Sequence, residues 1–178
     1  MAMEHKAFIF DYIRFHSELR PVLERALQNG QTAELVDFIT INKQVLKDPY
    51  EGEALSEEIG NEIDMSNLDE CGDYCLTKYY NPKDDLGLGY NWTSVQEALD
   101  ATSPGFGRVV LGTALEINGK SFDPGKIGSY FVSPDEVVEG LKVIKEISGQ
   151  FSEVDGMNEL GELYLQAFSH GMGLYVTF

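Results

Sequence analysis

A chain of 178 residues with 43% hydrophobic side chains, ten Phe and nine Tyr has enough apolar material for one domain with a real core, which excludes a disordered acidic tail. Its formal charge of -17 is regional: residues 51–100 hold 13 acids against Lys78 and Lys83, whereas the first fifty residues sum to -1 and the last 78 to -5. A field this one-sided repels nucleic acid and anionic membranes and attracts basic partners.

Taken in chain order, residues 6–15 (KAFIFDYIRF) mix β-branched and aromatic side chains and read as an opening strand. Ser17 then suits an N-cap with Pro21 in the first turn, and the Leu19, Val22, Leu23, Ala26, Leu27 spacing predicts a helix ended by Asn29-Gly30. Thr32 opens a second helix whose apolar face includes Leu35, Val36, Ile39, Val45 and Leu46, and Asp48-Pro49 stops it.

Between Lys47 and Lys78 the chain carries ten carboxylates and no basic residue. Leu55, Ile59 and Ile63 lie four apart there, as in a short amphipathic helix with a carboxylate outer face. Ser66 with Asp69 resembles a capping box for a helix over 67–80 that aligns Leu68, Cys71, Cys75, Leu76 and Tyr79. Four residues apart on one helix face, Cys71 and Cys75 would close almost no loop as a disulfide, so they read as free buried thiols. Asn81-Pro82 ends that helix, a Gly-bearing loop follows, and Thr93 or Ser94 starts a short helix through Val95, Ala98 and Leu99.

After the turn cluster Ser103–Gly107, RVVLGTALEI (108–117) reads as a strand, with Asn118-Gly119 as a hairpin turn and a partner strand through Ser121 and Phe122. KIGSYFV (126–132) is a further strand. Ser133-Pro134-Asp135-Glu136 is the cleanest local signal: a capping serine, proline at the first helical position and a glutamate to close the box. That helix runs to about Gly149, a last one covers roughly Asn158 to His170, and Gly173–Phe178 is a terminal strand. The whole is expected to be a single α+β domain over 1–178, with N-terminal helices followed by a small antiparallel sheet on which later helices pack.

No pattern specifies a reaction. His5, His16 and His170 share no metal-ligand spacing, and the last two sit where helix ends would hold them. GLGYNW lacks the lysine and the preceding strand of a phosphate loop, and no nucleophile elbow is present. Asp84-Asp85 and the 62–73 carboxylates do not follow an EF-hand order. No cofactor, metal ligand or catalytic residue is assigned. The N-terminus lacks the features of a signal peptide and no apolar run is long enough to span a bilayer, so the expectation is a cytoplasmic protein.

From Asn91 onward, NWTSVQEAL, VVLGTALEINGK, GSYFVSPDEVVEGLKVI and LYLQAFSHGMGLYVTF together resemble the YfbM-like family of small bacterial domains of unknown function. That resemblance implies a compact α+β domain and no established reaction, and residues 1–80 lie outside it.

The leading expectation is therefore an acidic binding domain that docks a basic protein, such as an immunity protein neutralising a bacterial toxin domain. Its contacts would be Glu57, Glu58, Glu62, Asp64, Asp69, Glu70 and Asp73, with Tyr74 and Tyr79 as aromatic anchors. The alternatives are a small hydrolase-like enzyme with an acidic and aromatic cleft, and an accessory domain without catalytic activity.

Overall fold

Alternation along three short strands sets the architecture. In the computed structural model, which describes residues 3–56, 63–124 and 128–178, β1 (Lys6–Phe10), β5 (Ser129–Val132) and β6 (Gly173–Thr177) lie in one antiparallel sheet. Its order is β1-β6-β5-β2, with β2 the two residues Thr113–Ala114. Side chains two apart on a strand share a face. Phe8, Phe10, Phe131 and Tyr175 point into one cluster, and Ala7, Val132, Leu174 and Val176 into another. β6 is buried along its whole length because strands flank it and helices cover both its faces.

The aromatic face is covered by α1 (Tyr12–Glu18), α2 (Arg20–Asn29), α3 (Ala33–Asn42) and α4 (Leu68–Leu76). The aliphatic face is covered by α5 (Trp92–Thr102), α7 (Pro134–Ile147) and α8 (Met157–His170), with the single turn α6 (Arg108–Leu111) beside them. A separate hairpin, β3 (Glu116–Ile117) and β4 (Lys120–Ser121), turns at Asn118 and Gly119, both at positive φ (52° and 75°) as a two-residue type I′ loop requires. The chain is an α+β protein, and among the described residues no helix is long and apolar enough to cross a membrane.

Several elements differ from the sequence reading, each for a local reason. The opening strand read over residues 6–15 is present but shorter, as β1, and its pairing with β6 joins the two ends of the chain in one sheet. Residues 6–15 split at Asp11, whose carboxylate accepts from Arg14 N–H and caps α1; Ser17 lies inside that helix, and its hydroxyl donates to the carbonyls of Ile13 and Arg14. His16 consequently sits in the last turn of α1 rather than at a helix start. Thr32 occupies the N-cap position of α3 but sends its hydroxyl to the Met65 carbonyl, tying α3 to the segment before α4. Ser66 does not cap α4; Asn67 does, accepting from Glu70 N–H at 3.1 Å. Arg108–Leu111 is helical rather than extended, so the predicted strand over 108–117 survives only as β2 and β3. The expected amphipathic helix around Ile59 falls largely on residues 57–62, outside the described residues.

Ser133, Glu136 and Pro134 behave as read: the Ser133 hydroxyl accepts from Glu136 N–H and the Glu136 carboxylate accepts from Ser133 N–H at 2.7 Å. Cys71 and Cys75 are free and buried. Their thiols lie near the carbonyls of Asp64 and Leu35, and burial pushes Cys71 up to about 11 and Cys75 well above its ordinary value, so both are poor nucleophiles.

Candidate functional site

The first turn of α4 carries two carboxylates, Asp69 and Glu70, where the positive end of a helix favours them. One turn further, Asp73 lies on the same side and is 2% exposed. Asp123, from the loop after β4, is brought over this face because its backbone N–H donates to Asp69 Oδ1 at 3.0 Å across 54 residues. Its own carboxylate accepts from Gly128 N–H at 3.1 Å. The result is a groove of about 460 Å³ lined by Asp69, Glu70, Asp73 and Asp123 together with Tyr50, Tyr74, Asn67 and Pro124. Among the described residues that line it, four are carboxylates and none is basic.

Asp48 fixes the Tyr50 rim of the groove. Its Oδ1 accepts from the N–H groups of Tyr50 and Glu51 at 2.8 and 2.6 Å, an Asx turn that sets Tyr50 on the surface, 65% exposed. Its Oδ2 accepts from the Tyr74 hydroxyl at 3.3 Å, so the rim is fastened to α4. Glu70 also holds the preceding loop, accepting from Asp64 N–H at 3.1 Å.

The electrostatics are those of crowded like charge. Partial burial raises Asp69 above the usual aspartate value and the nearby Asp123 carboxylate adds to the rise, while the Asp123 N–H works against it. The phenols of Tyr50, Tyr80 and Tyr175 are all pushed up, first by burial and then by Asp73 among the charges around them. Such a site favours protonated phenols and would reward an incoming cation.

Of the residues singled out from the sequence, Asp69, Glu70, Asp73 and Tyr74 come together here. Asp73 lies buried rather than on an exposed rim. Asp64 is exposed and spends its carboxylate on the N–H and hydroxyl of Ser66, which holds it below its ordinary value. Tyr79 is elsewhere: it is buried against α1, donates its hydroxyl to Glu18 at 3.0 Å, and Glu18 pairs with Lys78 at 2.8 Å. Glu57, Glu58 and Glu62 lie outside the described residues. Sequence reasoning missed Tyr50 and Asp123; the only signals were Asp48-Pro49 and Asp123-Pro124, two turn dipeptides that say nothing about which helix they fold over.

Among the described residues no three His, Cys, Asp or Glu side chains are arranged to hold a metal ion. No family model matches the sequence. No solved structure matches it either.

Proposed function

We propose that this chain is an acidic binding protein that docks a basic protein partner through the groove between Tyr50 and Asp123, in the way an immunity protein neutralises a basic toxin domain. The observation that supports this reading most is the convergence of Asp69, Glu70, Asp73 and Asp123 on one concavity. A lysine or arginine side chain entering it would relieve the like-charge crowding between Asp69 and Asp123. Tyr50, held exposed by the Asp48 turn, supplies a flat apolar surface and a ring for a cation to lie over. The remaining acidic surface would speed encounter in a salt-sensitive way. The resemblance of residues 91–178 to the YfbM-like family adds no chemistry to this site, which draws mainly on residues upstream of it.

The direct test is a titration of isotope-labelled protein with a short arginine- and lysine-rich peptide, at low ionic strength and again at about 0.5 M salt. Saturable shifts centred on Tyr50, Asp69, Tyr74 and Asp123, lost in a combined Asp69→Asn, Asp123→Asn variant and at high salt, are the expected result. Shifts spread evenly over every acidic side chain would remove the groove from the interface.

A further inference from the structure

The single turn α6 is an unusually well-fastened piece of backbone. A helix this short cannot satisfy its own last carbonyls. Two distant, buried side chains do so instead: the Tyr164 hydroxyl donates to Val109 O at 2.6 Å and His5 Nε2–H donates to Val110 O at 2.9 Å. His5 Nδ1 accepts from Leu88 N–H at 3.1 Å, which fixes the ring as the neutral Nε2–H tautomer. Gly112 then leaves α6 at φ 86°, where a Cβ would stand 2.7 Å from the Phe131 carbonyl. The inner face of the turn is pinned, and the outer face presents Arg108 and Val109 at a set position.

Between this turn and α7 lies a cleft of about 330 Å³, at the small end of the range for ligand pockets. Its walls are Phe106, Val109, Val132, Val143 and Tyr164, and Gly140 lets the Tyr164 ring lie against α7, since a Cβ there would approach that ring to 2.4 Å. Three charged side chains line the cleft: Arg108, Glu136 and Glu139. Glu136 accepts from Ser133 N–H at the positive end of α7, and Glu139 pairs with Lys142 at 2.7 Å. Arg14, Arg20 and Arg25 each pair with a carboxylate, whereas Arg108 has no partner among the described residues. In a chain with 30 acids and 13 bases, a guanidinium with no partner among the described residues lies beside an apolar hollow, with both neighbouring glutamates already engaged.

We infer that the cleft between α6 and α7 is a second binding site, for a small carboxylate with a compact apolar body. The carboxylate meets the Arg108 fork, whose geometry suits two parallel hydrogen bonds. The body lies against Phe106, Val109 and Val143. This site is independent of the acidic groove, which is built from other elements and selects the opposite charge.

Three probes with one shared body decide the matter on the full chain: 3-phenylpropionate, its primary amide, and 3-phenylpropylamine, followed by methyl-region NMR and calorimetry. The expected result is saturable binding of the carboxylate with a dissociation constant on the order of 1 mM, as its size allows. Shifts should centre on Val109, Val132 and Val143, with the amide about 5–10-fold weaker and the amine weaker still. Arg108→Gln, a change at an exposed side chain, should bring the carboxylate down to the level of the amide and leave the amide within about twofold. Val143→Phe should abolish binding of all three by filling the cleft. Absence of saturable shifts at the cleft, equal carboxylate affinity in wild type and Arg108→Gln, or tighter binding of the amine than of the carboxylate would each overturn the assignment.

Discussion

The two faces of the central sheet are built from different chemistry, and the two concavities follow from that difference. Adjacent residues of β6 show it: Tyr175 enters a layer of rings with Phe8, Phe10, Tyr80 and Phe131, whereas Leu174 and Val176 enter a layer of aliphatic side chains under α7 and α8. Rings with hydroxyls tolerate polar neighbours, so the aromatic side admits a buried carboxylate, Asp73, and opens at its edge into the acidic groove. The aliphatic side is packed by two 14-residue amphipathic helices and opens into a largely apolar cleft. The concavity beside the aromatic face is thus lined by carboxylates, and the one beside the aliphatic face by apolar side chains with Arg108 at its edge.

Deleting a buried side chain from either layer should have the largest effect. Phe10 is fully buried and touches the rings of Phe15, Tyr79, Tyr80, Phe131 and Tyr175, so Phe10→Ala should cost about 3–5 kcal/mol. Leu174→Ala, on the opposite layer, should cost about 2–5 kcal/mol. Urea unfolding measures both, and an unchanged m-value would show that the layers unfold as one unit. A variant that lost one transition and kept the other would instead divide the molecule along the sheet.

Two helical glycines test each layer more gently. At Gly72 in α4 an added Cβ would lie 2.4 Å from the Phe122 ring, and at Gly140 in α7 the same distance from Tyr164. Each change to alanine should destabilise by about 1–3 kcal/mol through overpacking. Their local effects should separate: Gly72→Ala perturbs resonances of Asp69 and Asp123 around the groove, and Gly140→Ala perturbs Val109 and Val143 around the cleft. Thermal denaturation with amide spectra reads both.

Acid should weaken the cleft side in a way it does not weaken the groove side. His5 is buried, with both nitrogens committed to backbone groups, and burial holds it below its ordinary value of 6.5, against the smaller opposing influence of the Val110 carbonyl and of Asp85. The sign follows from which state takes the proton first. Above 6.5 the imidazole is neutral folded and unfolded, and its contribution is complete. As pH falls through 6.5 the unfolded chain binds a proton before the folded one, so stability declines until the lowered folded value is passed. Protonation at Nδ1 would also set two N–H donors against each other at Leu88. An NMR titration in which His5 titrates at or above 6.5 would contradict this.

Much of the architecture was legible in the sequence, and the illegible parts share a cause. The capping box at Ser133, the Asn118-Gly119 hairpin and the β6 strand are local patterns, decided by residues within a few positions of one another. RVVL at 108–111 also reads locally, and its β-branched residues argue for a strand; it is helical because His5 and Tyr164, 105 and 55 residues from the carbonyls they bond, hold it so. Half of the acidic groove was visible as the carboxylates of α4. Tyr50 and Asp123 were not, because loops deliver them and no periodicity announces where a loop lands.

The smallest effects lie at the two helix caps that frame these sites. Asn67 starts α4 at the groove with one hydrogen bond from its side chain to Glu70 N–H, and Ser133 starts α7 beside the cleft within a reciprocal box. Replacing either by alanine should cost about 1 kcal/mol. Ser133→Ala removes the hydroxyl that accepts from Glu136 N–H and loosens the first turn, while the residue-133 N–H that serves the Glu136 carboxylate remains, so carboxylate probes at the cleft should weaken about twofold as the start of α7 frays. Asn67→Ala removes a neutral side chain from the groove and leaves its four carboxylates in place, so basic-peptide binding should change less than twofold. Measured side by side, the two variants separate helix stability from site chemistry. Equal, small losses of binding at both sites would mean that neither concavity depends on the exact placement of its helix start.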